Sequence, residues 1–184
     1  MTVYVFFGLI ASGKSTLAQA WADRLRIACY NSDVIRKELA GRAGPGRDLQ
    51  FNQGIYAEQF TRETYQALMD RAAAELGRSR SVVLDASYRA RADRESLRAL
   101  AEKHGVAIRF ILCSCPESEL KLRLETRARD PKAVSDGRWE IYQKQKELFE
   151  EPEELATEEL MVFSTQAPVN LLVEQLAAGL RERL

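Results

Sequence analysis

An α/β fold, built as a parallel five-stranded sheet with helices on both faces, is what this sequence predicts. Three observations carry that prediction. Short apolar, β-prone runs alternate with helical stretches along the whole chain. Such alternation implies right-handed β-α-β crossovers and a sheet covered on both sides. One run, Val82-Val83-Leu84, is continuously apolar up to Asp85, as in a parallel strand buried on both faces. A glycine-containing loop, Gly8-Leu9-Ile10-Ala11-Ser12-Gly13-Lys14-Ser15, joins the first apolar run to the first helical stretch. In open parallel sheets ligands bind beyond the carboxyl ends of the strands, so the residues after each strand carry the functional reading.

Taken in order, Val3-Tyr4-Val5-Phe6-Phe7 reads as strand one. The stretch from Lys14 reads as a helix with Leu17, Trp21 and Leu25 on one face. Ile27 to Asn31 is strand two, and Ser32-Asp33 opens a short helix through Ala40. Gly41 to Arg47 is rich in glycine and has no periodicity, which predicts a loop. A long helix or helix pair follows from about Phe51 to Leu76, capped by Gly77. Ser81 to Asp85 is strand three, Ala90 to His104 a helix closed by Gly105, and Val106 to Cys113 strand four. Pro116 starts a helix that runs to about Arg129. Asp130-Pro131 breaks it, and Ser135-Asp136 caps another helix that reaches Phe149. Leu160 to Ser164 is strand five, and Asn170 to Leu184 is a closing amphipathic helix. With 184 residues the chain suits one domain, residues 1–184, and shows no internal repeat.

The glycine loop matches G-x-x-x-x-G-K-[ST] at every fixed position. Backbone N–H groups of Gly8, Ala11, Ser12, Gly13, Lys14, Ser15 and Thr16 can cradle phosphate oxygens where the helix dipole assists them. Lys14 reaches the β- and γ-phosphates, and the Ser15 hydroxyl is placed to ligate Mg²⁺. Beyond strand two, Asp33 and Arg36 lie three apart at a helix start. They can accept a hydroxyl proton and hold an acceptor anion, or serve as a cap and a solvated arginine. Asp85 ends the apolar strand three, the placement of a carboxylate that holds Mg²⁺ directly or through water. Tyr88 either lines an acceptor pocket or packs. After strand four, Arg123 and Arg127 share a helix face, and a lid carrying them could neutralise a moving phosphoryl group.

Other features narrow the classes. Lys+Arg and Asp+Glu balance at 27 each, which argues against broad, non-specific nucleic-acid binding. Cys29, Cys113 and Cys115 lack metal-ligand spacing and read as small buried residues in a reducing, cytoplasmic setting. No apolar run approaches the ~18 residues that a membrane span needs. His104, the single histidine, falls on an apolar helix face beside Gly105 and reads as packing or capping. The stretch Glu147 to Glu159 holds seven acidic residues and no basic one, which reads as a solvated helix end and turn.

In order and approximate spacing, the glycine loop, Asp33-x-x-Arg36, Val83-Leu84-Asp85-Ala86-Ser87-Tyr88 and Leu120-x-x-Arg123-x-x-x-Arg127 resemble the small P-loop kinases. That group includes polynucleotide kinase, gluconate kinase, chloramphenicol phosphotransferase and zeta-toxin type enzymes. The nearest resemblance is to an AAA_33-like bacterial kinase group, some members of which are fused to an aminoglycoside phosphotransferase-like domain. The resemblance covers nearly the whole chain. It implies a three-layer P-loop NTPase fold of strand order 2-3-1-4-5 with a helical lid at about residues 120–150. It also implies Asp33 as general base, Arg36 and Tyr88 on the acceptor side, and Arg123 and Arg127 as lid residues. Residues 165–168 would lie near adenine. Ser87-Tyr88 departs from the group's Thr-Phe, and the fused domain is absent.

The expected activity is an ATP- and Mg²⁺-dependent kinase. Its acceptor would be a hydroxyl of a small molecule or a short nucleic-acid 5′ end, and the protein would act off the membrane as a monomer or homodimer. The alternative is an ATP-binding switch or partner module with slow hydrolysis.

Overall fold

The computed structural model describes residues 1–42, 58–128 and 139–181. The chain runs β1 (Thr2–Phe7), α1 (Lys14–Leu25), β2 (Ala28–Asn31), α2 (Ser32–Arg42), α3 (Glu58–Gly77) and β3 (Val82–Asp85). It continues through α4 (Arg91–Lys103), β4 (Ala107–Ser114), α5 (Glu117–Ala128), α6 (Trp139–Glu147), β5 (Leu160–Ser164) and α7 (Val169–Arg181). The five strands form one sheet in the order β2-β3-β1-β4-β5, and every neighbouring pair is parallel. The order is the one the resemblance implies.

Side-chain alternation along β1 divides the core. Val3, Val5 and Phe7 pack with Ile35 of α2, Leu68 and Ala72 of α3, and Leu97 and Ala101 of α4. Phe6 turns the other way, onto Leu17 and Trp21 of α1 and Leu172 and Leu176 of α7. Val3, Val5, Phe6 and Phe7 are all 0% exposed, so the central strand is apolar on both faces because both are covered. A third cluster lies at the carboxyl end, where Ile10 and Ala11 pack against Leu120 and Leu124 of α5 and Tyr142 of α6.

Some element ends differ from the sequence reading. Gly41 and Arg42 continue α2 instead of opening a loop. Gly77 is the last residue of α3, and the left-handed residue that follows is Ser79, at φ 58°. The Ser79 N–H reaches the Leu76 carbonyl at 2.9 Å, and the Arg80 N–H reaches Glu75 at 3.0 Å. His104 is the C-cap of α4, and Gly105 follows at φ 62° with its N–H on the Glu102 carbonyl. The capping reading of His104 therefore holds. The remainder of the expected loop, residues 51–57 of the expected long helix, Asp130-Pro131 and Ser135-Asp136 lie outside the described residues. No helix among the described residues is long and apolar enough to cross a membrane.

Candidate active site

β1, β3, β4 and β5 all end toward one edge of the sheet, and the loop between β1 and α1 lies at its centre. The loop needs left-handed backbone at three places: Gly8 (φ 129°), Ala11 (φ 60°) and Gly13 (φ 85°). A Cβ on Gly8 would stand 2.6 Å from the Cys113 carbonyl oxygen, and one on Gly13 would stand 2.9 Å from Thr165. Glycine lets the loop lie directly against β4 and β5, whereas Ala11 carries a strain that such loops concentrate. Gly13 is the N-cap of α1 and offers no side chain to the first-turn N–H groups, and no acidic residue sits in that turn. Those donors are left to an anion. Lys14 stands over the loop, with Nζ donating to the Leu9 carbonyl at 3.4 Å.

Asp85 ends β3 beside this loop and is 1% exposed. Asn31, its partner in the β2–β3 register, donates Nδ2 to one carboxylate oxygen at 2.5 Å. The other oxygen, Oδ1, is buried with no hydrogen-bond partner among the described residues. Burial pushes the Asp85 carboxyl above its ordinary range, opposed by Lys14, the Ser15 hydroxyl and Asn31, while the Asp33 charge pushes it further up. An orphaned, desolvated carboxylate oxygen near a serine hydroxyl is a donor set that suits a hard cation. No group of three or more His, Cys, Asp or Glu side chains that could form a metal cage occurs among the described residues. Mg²⁺ does not require one, since it binds through one or two carboxylates and keeps several waters.

Asn31 also caps α2. Its Oδ1 accepts the N–H groups of Asp33 at 2.9 Å and Val34 at 3.0 Å. The cap is thus one residue earlier than Ser32, and one asparagine fixes both the Asp85 carboxylate and the start of α2. Asp33 sits half-buried in the first turn of that helix. Arg36 is 7% exposed and runs to α3, where Nη1 donates to Thr61 Oγ1 at 3.2 Å.

Tyr88 stands at φ 38° with its ring 1% exposed, edge-on to Tyr65 at 5.1 Å. Its side chain belongs to the core. The Tyr65 hydroxyl meets Ser87 Oγ at 2.9 Å and accepts the Tyr88 N–H at 3.1 Å. Ser87 in turn gives its carbonyl to the Gly8 N–H at 3.3 Å. Tyr65 of α3 therefore holds the turn after Asp85, a role the sequence did not suggest.

Arg123 of α5 binds five groups, among them the Cys115 sulfur, which Nη1 meets at 3.6 Å. Nε donates to Glu119 at 2.9 Å, Nη1 to the Ala11 carbonyl at 3.3 Å and to Thr165 Oγ1 at 3.1 Å, and Nη2 to the Thr165 carbonyl at 2.8 Å. Thr165 passes the link on, its hydroxyl meeting the Ser12 carbonyl at 2.6 Å. A cleft of about 430 Å³ opens here, lined by Gly13, Thr16, Leu17, Arg123, Thr165 and Ala167 among others. Its size suits a small-molecule ligand, and it lies where residues 165–168 were expected to meet adenine. Arg127 falls within α5, but its side chain lies outside the described residues.

Solved structures share this architecture. A gluconokinase from Sinorhizobium meliloti 1021 superposes with a TM-score of 0.68 at 21% identity, covering 98% of this chain and 91% of that one. Kti12 from Chaetomium thermophilum, solved in complex with ADP-AlF3, gives 0.70 at 16% identity over 98% and 99%. The Mycobacterium tuberculosis APS kinase CysC, in complex with AMPPNP and APS, gives 0.63 at 17% identity over 98% and 96%. Likeness at such identities establishes a shared α/β fold. No curated protein gives a match. The AAA_33 family model, described as an AAA domain, matches residues 3–152; the chain belongs to that family.

Proposed function

We propose that the protein is an ATP- and Mg²⁺-dependent kinase that transfers the γ-phosphoryl group to a hydroxyl of a small molecule or of a nucleic-acid 5′ end. Residues 1–184 would form one kinase domain, with about 120–150 as its lid. The observation that carries the reading is Asp85: a buried carboxylate with one orphaned oxygen, set beside the phosphate loop and under the influence of Lys14, Ser15 and Asp33. Ser15 and Asp85 would hold Mg²⁺, which when bound supplies charge neutralisation on the phosphates. The loop N–H groups and Lys14 bind and orient the donor.

Asp33, half-buried at the start of α2, would accept the proton of the attacking hydroxyl. Arg36 would support the acceptor side from its place against α3. Tyr88, buried behind Ser87, would shape that side from the core and would not touch the acceptor. Arg123 is committed to Thr165 and Ala11 at the edge of the cleft and would wall the nucleobase site. Arg127 is the lid arginine assigned to the transferred group.

The test is transfer of labelled phosphate from ATP to a panel of hydroxyl metabolites, antibiotics and 5′-OH oligonucleotides. Lys14→Ala should abolish ATP turnover. Asp33→Asn should retain ATP binding and lose transfer by roughly 10²–10⁴-fold. Full transfer in Asp33→Asn removes the base assignment. Acceptor binding that weakens steeply with salt identifies the nucleic-acid end as acceptor.

A further inference from the structure

Two carbonyls of the phosphate loop are held from outside it. The Ala11 carbonyl accepts Nη1 of Arg123 at 3.3 Å, and the Ser12 carbonyl accepts the Thr165 hydroxyl at 2.6 Å. Thr165 follows directly on β5, is 4% exposed, and lies 153 positions from Ser12. It stands so close to the loop that a Cβ on Gly13 would meet its Oγ1 at 2.9 Å.

A hydroxyl has one proton to give and two lone pairs with which to accept. Nη1 of Arg123 donates to Thr165 Oγ1 at 3.1 Å, which leaves the hydroxyl proton for a carbonyl. Two carbonyls stand within reach, Ser12 at 2.6 Å and Ser114 at 3.2 Å. Ser114 already accepts the Thr165 N–H at 2.9 Å, and the shorter contact takes the proton. The cationic donor also polarises the hydroxyl and strengthens the bond it gives. The bonds therefore run from Arg123 to Thr165 to the Ser12 carbonyl.

That carbonyl and the Gly13 N–H belong to one peptide unit. No cis peptide bond occurs among the described residues, and in a planar trans unit the C=O and N–H point in opposite directions. With its oxygen fixed on Thr165, the unit turns the Gly13 N–H away from Thr165. The Ser12 N–H closes on the Leu9 carbonyl at 3.2 Å, whereas the Gly13 N–H bonds no acceptor among the described residues. Gly13 is the N-cap of α1, so this donor stands at the positive end of the helix, where anions bind.

We infer that Thr165 is a positioning residue for phosphate binding. Its hydroxyl, oriented by Arg123, locks the Ser12–Gly13 peptide so that the Gly13 N–H serves the nucleotide's phosphates. The inference rests on the nucleotide-binding part of the proposed function and deepens it. Thr165 lines the cleft read as the nucleobase site, yet its hydroxyl acts on the phosphates.

The test compares the native protein with Thr165→Val, which keeps the shape without the hydroxyl, and Thr165→Ser, which keeps the hydroxyl. In calorimetry with Mg²⁺ and ADP, Thr165→Val should bind ADP roughly 5- to 50-fold more weakly, and Thr165→Ser within about threefold of native. Adenosine has no phosphate and, titrated by NMR, should bind both variants within about twofold of native. In isotope-labelled protein saturated with ADP, the Gly13 amide proton should move downfield in the native chain and in Thr165→Ser. In Thr165→Val it should move by about half as much or less. Melting temperatures show whether each variant is folded. If Thr165→Val is not, Thr165→Ala removes the same hydroxyl with more space around the carbonyls, and the same comparisons apply.

Native affinity for ADP without the hydroxyl overturns the inference. Equal weakening of ADP and adenosine also overturns it, because the effect then lies on the base or the fold. So does a loss in Thr165→Ser as large as in Thr165→Val, or an undiminished Gly13 shift without the hydroxyl. These measurements need no acceptor. A protein that binds ADP but transfers phosphate to nothing therefore sinks the kinase reading alone, whereas a native protein that binds no ADP sinks both.

Discussion

Asp85 is a side chain that is costly to bury and that the proposed metal site would put to use. Its carboxylate is almost fully buried with one oxygen orphaned, and its folded-state proton affinity is raised chiefly by that burial. An ionised Asp85 therefore opposes folding at neutral pH unless a cation arrives. Asp85→Asn should leave the metal-free melting temperature unchanged or raise it. The same variant should reduce Mg²⁺-dependent ATP turnover by roughly 100-fold. A clear fall in the metal-free melting temperature would show that the carboxylate is satisfied in the empty protein and would remove the argument for a metal. This residue could be read from sequence because an aspartate closing an apolar run is conspicuous. The hold of Asn31 on Asp85, of Thr165 on Ser12 and of Gln145 on Ile10 could not, since the partners lie 54, 153 and 135 positions away, and no local pattern marks a contact that distant.

At the scale of elements, local chemistry decided how much was legible. β5 begins and ends where the run Leu160-Met161-Val162-Phe163-Ser164 does, because apolar side chains bounded by polar ones define a strand locally. The end of α3 was misplaced by the general preference for glycine at a helix terminus; here Ser79 adopts the left-handed conformation and Gly77 stays helical. α3 contributes most through one hydroxyl that its amphipathic pattern did not reveal. Tyr65 accepts the N–H of Tyr88, which sits at φ 38°, and an unusual backbone persists only where its surroundings hold it. Tyr65→Phe leaves that donor unsatisfied at a cost of about 1–3 kcal/mol, or a fall of about 2–12 °C in melting temperature for a chain of this length. Thermal unfolding monitored by circular dichroism measures it, and an unchanged midpoint would mean that the turn is held by other contacts.

For the whole molecule, the acidic stretch after α6 changed meaning most. As sequence, Glu147 to Glu159 reads as a solvated turn; in the fold it is strapped onto α4. Arg94, 0% exposed, meets Glu154, 3% exposed, at 2.5 Å, and its guanidinium also donates to the carbonyls of Tyr88, Arg89 and Glu151. Glu150 and Glu159 add contacts to Arg91 and Arg98. The turn after Asp85 and the segment that follows α6 are thereby one unit, and its stability should depend on pH. Burial raises the affinity of Glu154 for a proton, but the hydrogen bonds from Arg94 outweigh it, so its folded value lies below the ordinary 4.5. A depressed carboxylate stabilises the fold above its unfolded value and loses that contribution as pH falls through the folded one. Asp85 and Asp93, whose folded values are raised chiefly by burial, work in the opposite sense on acidification, and Glu174, lowered by Arg24, works in the same one, so the share of Glu154 is read as the difference that Glu154→Gln makes in an Asp85→Asn background. In that background the melting temperature should fall as pH drops below about 4.5. Glu154→Gln should flatten that fall while lowering stability at pH 7 by about 3–5 kcal/mol, because it leaves Arg94 buried and unpaired. If that single variant does not fold, Arg94→Met/Glu154→Leu keeps the volume without the charges and should fold, with its acid transition shifted in the same way. An acid transition identical in all of these proteins would place the pH sensitivity of the fold elsewhere than in the Arg94–Glu154 pair.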